Sequence, residues 1–452
     1  MDAGELELSR FNDHWKTPGS VTSTVPDAAL GESPGCGPPV KTEFGGIPIW
    51  IHPTSGEDQR DDRFVSDDGQ GFLPNDAIAN VQLERYVQRN SLGARKTDLL
   101  KRAYYLAKPF MTRELQLKLQ RANAKSRLRN LTYPNWPHDD SLRSFLHSVL
   151  ARILEYEGAD WTPFIGFWPH GHHWAACFTH DVETAAGLGA MGSLAHIEET
   201  LGIRSTWFFV PERYPVSPAD FQNLQEAGHE IGVHGLNHDG RLFASREEFD
   251  RRVVVINRYI KEWGAAGFRS PALHRNPDWI PDLAVRYDSS FIDTAVLEPQ
   301  AGGVSTVFPY HLAKGVVELP ITMPMDHHFI NLLQTDCSEP MLTKFTWVTE
   351  RHGLANFLYH PDYNLDDHRV TDYGRVVDAV SSTPKGWVTT AAAIADWWAR
   401  RHASELIQVD GAFRVEGPAA DDAAIWHAYR ENGTVRIVAD PENSTVTYLK
   451  DE

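Results

Sequence analysis

The stretch Trp174-Ala175-Ala176-Cys177-Phe178-Thr179-His180-Asp181-Val182-Glu183 decides the reading of this chain. Its first half is an uninterrupted apolar run behind the Gly171-His172-His173 cluster, as expected of a strand covered on both faces in a parallel sheet. Side chains two apart on a strand share a face, so Asp181 and Glu183 point into one cleft while Val182 points away. A second strand end of the same kind follows, where Gly228-His229-Glu230-Ile231-Gly232-Val233 runs into His234-Gly235-Leu236-Asn237-His238. If the chain turns helical there, His234 and His238 stack on one face. Two imidazoles and one carboxylate leave positions open on a divalent cation, which is the donor set that acidifies a water and polarises a carbonyl. Each motif alone is weak in a chain with 21 histidines, because a single strand-end carboxylate is more often a helix cap or an ion-pair partner.

At 452 residues the chain exceeds one ordinary domain and accommodates a barrel of about 200 to 250 residues with smaller units beside it. The formal charge of −18, from 61 acidic and 43 basic residues, argues against nonspecific nucleic-acid binding. The start, Met1 to Leu8, has neither a basic nor an apolar signal region, and no run of 18 apolar residues follows, so a cytoplasmic location is expected. Cys36, Cys177 and Cys337 are widely spaced and form no CxxC, which disfavours a disulfide framework and a zinc-cysteine site.

Four regions are expected. Residues 1–80 form an irregular N-terminal arm rich in Gly, Pro, Ser and Asp, with one apolar island at Ile47-Pro48-Ile49-Trp50-Ile51 that reads as an edge strand or a docking arm. Residues 81–171 form a helical, basic region; between 91 and 130 there are eleven Lys or Arg against Asp98 and Glu114. With its leucines, the 95–129 segment reads either as a solvated helical face or as a peripheral contact with an anionic membrane surface or a lipid-linked substrate. Residues 172–402 alternate short apolar runs with helical patterns, the mark of βα units; Ser217-Pro218 and Ser245-Arg246-Glu247-Glu248 are helix starts. Residues 403–452 predict a small β appendage from runs at 406–409, 412–415, 425–429, 435–438 and 446–449, with Glu431-Asn432-Gly433 as a hairpin turn.

Further motifs stand in order along the central region: Ser205 to Val210, Ala227 to Ile231, Gly267-Phe268-Arg269-Ser270-Pro271, Tyr287-Asp288-Ser289-Ser290, Glu318-Leu319-Pro320 and Leu358-Tyr359-His360-Pro361. In this order residues 172–400 resemble the polysaccharide deacetylase (NodB-homology) family. The resemblance implies an α/β fold, a distorted (β/α) barrel of NodB type, with one divalent metal and hydrolysis of an N-acetyl group on a sugar. The family's first motif usually reads T-F-D-D-G, with the first Asp as base and the second as ligand; its second reads H-[ST]-x-x-H-P. Aligning Thr179 makes Asp181 the base and Glu183 the ligand in place of Val182. A register shifted by one instead makes His180 the base and Asp181 the ligand. In the second motif Gly235 replaces a hydroxyl residue and Asp239 the proline.

By resemblance the catalytic set is Asp181, Arg269 and His360: Asp181 takes the proton of water, Arg269 pairs with and orients that base, and His360 protonates the leaving amine. Glu183, His234 and His238 hold the cation, zinc by expectation, with nickel or cobalt as alternatives. Pro271, Asp326 and His327, with His328 adjacent, are candidates for contact with the sugar. The expected reaction is removal of an N-acetyl group from a glycan or a glycan precursor such as a lipid-linked sugar. Hydrolysis of a non-sugar amide or cyclic imide on the same fold, and a noncatalytic glycan-binding or scaffold role, are the competing readings. Val182, Gly235 and Asp239 favour the last of these, while Glu183, His234, His238, Arg269 and His360 oppose it.

Overall fold

The computed structural model describes residues 14–17, 40–44, 47–51, 64–66, 71–72, 111–129, 131, 135–300 and 302–439. The chain forms two compact units, one of residues 1–83, 140–173 and 397–452, the other of residues 84–139 and 174–396.

The second unit is a curled parallel sheet with helices outside it, a NodB-type distorted barrel. Its elements are β1 (Trp174–Val182), α1 (Ala185–Thr200), β2 (Thr206–Phe209), α2 (Pro218–Glu226), β3 (Glu230–His234), α3 (Arg246–Trp263), β4 (Gly267–Arg269), β5 (Tyr287–Asp288), β6 (Tyr310–His311), β7 (Val317–Glu318), α4 (Ser338–Thr349), β8 (Leu354–Tyr359), α5 (Asp367–Ser382) and β9 (Gly386–Val388). The strand order is β6-β7-β5-β4-β3-β2-β1-β8, with β9 also pairing β1. Only β6 is antiparallel to its neighbour. All nine residues of β1 are buried, which is why its sequence shows no alternation.

Local chemistry sets the helix starts. Thr184 caps α1 by accepting from Ala186 N and Gly187 N, Ser217 and Asp220 form a reciprocal capping box at α2, and Ser245 Oγ accepts from Glu248 N at 3.2 Å. On α3 the buried face is Phe249, Arg252, Val253, Ile256, Ile260 and Trp263, an apolar stripe of helical period with one cation in it.

The ladder registers bring the catalytic ends level. Asp181 lies beside Phe208, His234 beside Arg269, and Tyr359, just before His360, beside His180. Between β7 and β8 the barrel is closed by side chains rather than by a paired ladder. Asn356 Nδ2 lies 3.1–3.2 Å from Leu319 O, Pro320 O and Ser289 Oγ, Thr322 Oγ1 bonds Leu354 O and Asn356 N, and Asn356 is fully buried.

The first unit revises the expected regions. Strand Trp161–Pro169 pairs antiparallel with Ala423–Glu431, which turns through Asn432 and Gly433, both at positive φ, into Thr434–Val438. Residues 140–173 therefore fold with the C-terminal strands and not with the helical region expected over 81–171. Ile47–Ile51 pairs on both sides, with Val40–Phe44 and Phe64–Ser66, so it is an inner strand and not an edge. The run at 446–449 lies outside the described residues, as does most of the 95–112 half of the basic segment. In helix Arg113–Arg129, Arg121 donates to Asn331 O and Arg127 to Val296 O and Glu298 O, so two cations of this segment hold barrel loops. Among the described residues no helix is long and apolar enough to cross a membrane.

Replacing Asn356 by Leu keeps the volume but removes a buried donor: Pro320 O loses it outright, while Leu319 O keeps Ser289 Oγ and Ser289 Oγ keeps Arg269. A loss of about 1–3 kcal/mol is expected, read as a shift of the urea midpoint; a change below about 0.5 kcal/mol would remove Asn356 from the closure of the barrel.

Candidate metal centre and active site

The site lies at the C-terminal ends of β1, β3, β4 and β8. Asp181 Oδ1 accepts from Arg269 Nη1 at 3.0 Å, and its Oδ2 lies 3.5 Å from His234 Nε2. Arg269, fully buried, also donates to Thr179 Oγ1 at 2.8 Å, to Ser289 O at 2.9 Å and to Ser289 Oγ at 2.8 Å. Its guanidinium carbon sits 4.4 Å from the Phe208 ring centre. Four polar partners and an aromatic face compensate a charge that burial would otherwise expel.

Glu183, His234 and His238 each offer one donor atom, and these atoms lie within 4.8 Å of one another. His238 Nε2 is 2.9 Å from Glu183 Oε1. His234 Nδ1 lies 3.0 Å from Arg269 O, a contact that makes Nδ1 the protonated nitrogen and leaves the lone pair on Nε2. That Nε2 is buried and has no hydrogen-bond partner. Burial, helped by His238 and Arg269 against the neighbouring carboxylates, pushes His234 down to about 4, so the ring is neutral as a ligand must be. Burial acts to raise Glu183, but His238, His360 and His234 together hold it well below the usual carboxylate range. An orphaned imidazole nitrogen aimed at an ionised carboxylate and a second imidazole fits a divalent cation, with zinc at about 2.0–2.2 Å from each donor.

The expected helical turn between the two histidines is not formed. Gly235 and His238 both take positive φ, 65° and 57°, and the rings meet at 5.2 Å through a bent loop. Gly235 is required there: a Cβ would lie 2.5 Å from Pro271 Cδ. This packing explains why a hydroxyl residue is absent at 235, and it gives Pro271 its place, buried under the loop.

His360 closes the other side, its Nε2 3.8 Å from Glu183 Oε1 and its Nδ1 2.7 Å from Asp326 Oδ1. Asp326 was expected to touch sugar. Instead it is fully buried and its oxygens are taken by His360 Nδ1, His360 N, His327 N and Asn364 Nδ2, so it orients and charges the imidazole. Burial works against protonation of His360, but Asp326, Glu183 and Asp181 outweigh it and carry the ring to about 10. His327 lies beside Tyr363 and is pushed down to about 4 by burial; partly exposed, it stays available at the rim. His328 turns inward to Glu298 at 2.8 Å.

His180 lies on the opposite face of β1 from Asp181, fully buried, 2.8 Å from Glu198 Oε1 and stacked on Trp207 at 3.9 Å. His180 therefore does not face the cleft, as the shifted register asks of its base. Three residues escaped the sequence reading. Asp362 accepts from Glu183 N at 2.9 Å and from Thr184 Oγ1 at 2.5 Å, Tyr214 donates to Val182 O at 2.6 Å, and Asn364 braces Asp326. The available signal was the acid next to His360-Pro361.

Residues 193–280 match the family model described as polysaccharide deacetylase, a span that runs from α1 through both histidines and Arg269. Over this span the chain is similar to polysaccharide deacetylases, hydrolases of carbon–nitrogen bonds. Within that class it is similar in structure to a probable polysaccharide deacetylase from Pseudomonas aeruginosa PAO1, at 16% identity and a TM-score of 0.42, over 55% of this chain and 97% of that one. It is also similar to the Puue allantoinase, at 15% identity and a TM-score of 0.41, over 52% and 93%. A third likeness is the chitin deacetylase of the fungal pathogen Colletotrichum lindemuthianum, at 13% identity and a TM-score of 0.33, over 50% and 89%. No curated protein matches the chain.

Glu183 is the only carboxylate of the ligand set. Glu183→Gln is expected to weaken zinc uptake by more than the roughly 10- to 100-fold that changes behind a ligand cost, whereas Asp181→Asn retains zinc; metal content after dialysis reads both, and the reverse pattern would exchange the two roles.

Proposed function

We propose that the protein is a metal-dependent deacetylase that removes the N-acetyl group from a glycan or glycan precursor. One observation carries the reading: the Glu183, His234 and His238 donors stand between an arginine-paired carboxylate, Asp181, and a carboxylate-paired imidazole, His360. Amide hydrolysis needs a base on one side of the carbonyl and an acid on the side of the departing nitrogen.

When bound, a divalent cation at these donors supplies Lewis-acid polarisation of the acetamide carbonyl and acidification of water. The chain's own groups do the rest. Asp181, fixed by Arg269, takes a proton from the attacking water. His360 reaches the reaction as the imidazolium, its Nδ1 proton donated to the Asp326 carboxylate, and gives the second proton, on Nε2, to the amine as the carbon–nitrogen bond breaks. Arg269 leaves Asp181 no freedom to rotate away, because its remaining donors are committed to Thr179 and Ser289. His327 and Tyr363 form an aromatic edge next to His360 suited to the face of a sugar ring.

The test is acetate release from N-acetylated amino-sugar oligomers by the zinc-loaded protein. Asp181→Asn and His360→Ala should each cost about 10²- to 10⁴-fold, and chelation should abolish turnover. A zinc-replete protein that binds such oligomers and releases no acetate would overturn the assignment. Asp326→Asn separates the acid from its neighbours. The wild-type imidazole holds its proton well above neutrality, so the limb that it sets lies on the alkaline side. Without the Asp326 charge burial prevails, and the alkaline limb moves to lower pH by about 1–3 units. An unmoved limb would show that His360 is not the acid.

A further inference from the structure

We propose that Arg252 is the positioning residue for His238: its guanidinium grips Asn237 and Asp239, the residues on either side of that histidine, and holds the imidazole toward Glu183. The proposal rests on the reading of His238 as a metal ligand.

His238 belongs to no helix or strand, and its φ of 57° lies in the left-handed region, which costs energy for any residue with a Cβ. Such a conformation persists only where the surroundings over-determine it. Here they do. Arg252 Nη1 donates to Asn237 Oδ1 at 3.0 Å and to Asp239 Oδ1 at 2.7 Å, and its Nη2 to Asp239 Oδ2 at 2.7 Å. The last two form the parallel, two-bond fork that guanidinium makes with carboxylate, the strongest and most directional ion pair among side chains. Asp239 Oδ1 also accepts from Arg241 N at 2.9 Å, which tightens the exit of the loop.

The other end of the grip is rigid. Arg252 is 5% exposed on the inner stripe of α3, and its Nε donates to Glu248 Oε1 at 2.5 Å, one turn nearer the Ser245-capped start of the helix. A surface ion pair would add little; here the guanidinium is buried while Asp239 keeps one side to water, and the pair brackets a ligand. The arrangement also accounts for a departure from the resembled pattern. Where that pattern follows the second histidine with proline, whose ring stiffens the backbone by itself, this chain has Asp239 and stiffens the same place through an arginine from the next helix.

The experiment measures zinc affinity of the full chain by chelator competition, with amide hydrogen exchange of residues 235–240 in the metal-free protein as a second readout. Arg252→Met should weaken zinc by about 10- to 100-fold, the usual cost of losing support behind a ligand. It should also speed exchange in the loop while β1, β3 and β4 stay protected. Arg252→Lys keeps the charge but not the fork and should behave nearly as badly; Asp239→Asn, which retains the shape and one acceptor, should fall between. If Arg252→Met does not fold, the Lys and Asn variants carry the same comparison. Wild-type protein that binds zinc while the variants bind equally well, with unchanged loop exchange, overturns the clamp alone. Wild-type protein that takes up no zinc overturns the metal site and the clamp with it.

Discussion

A guanidinium with no access to water governs this barrel. Arg269 sits where four strand ends converge, and its burial is tolerable only because Asp181, Thr179 and Ser289 receive its protons. Removing any of these would leave part of a charge uncompensated in a medium that solvates it poorly. The same residue's carbonyl accepts from His234 Nδ1, so one side chain and its own backbone fix both the carboxylate of β1 and the tautomer of β3. Asp181 and His234 are thereby held in one frame by strand ends.

The strand ends were legible because parallel strands buried on both faces write apolar runs, and polar residues at the close of such runs have few structural reasons to be there. Asp181, Glu183 and His234 stand at such ends, Arg269 and His360 come from the resemblance, and the level registers of β1, β3, β4 and β8 bring the five to one place. Asp326 was misplaced. Its sequence neighbours, two histidines after Met323-Pro324-Met325, look like a loop that touches ligand, and nothing local says that His360 will take both its oxygens. The helical turn imagined for His234 and His238 failed for a related reason: spacing of four permits stacking, but Gly235 at positive φ against Pro271 sends the chain elsewhere.

The first unit was harder still. Strand Trp161–Pro169 lies where a helical region is expected, and its partner, Ala423–Glu431, lies on the far side of the whole barrel in sequence. A ladder closed over so long a loop leaves no trace in either segment alone, since the loop-closure cost grows only slowly with length and no residue pattern is needed to meet it. Regions that are consecutive in sequence were therefore joined, and regions that fold together were separated.

Asp362 ties the beginning of the site to its end. It accepts from the backbone of Glu183 and from Thr184, and Gly187 has no side chain because a Cβ would strike that carboxylate. The first ligand in sequence is thus held by a residue made near the close of the barrel. During synthesis Asp181 of β1 and Glu183 just after it emerge long before this brace exists, and His234 of β3 and His238 beyond it follow while Glu183 N still lacks its acceptor. Contacts of such separation form late in folding. The donor set is therefore a product of the finished barrel rather than a seed for it.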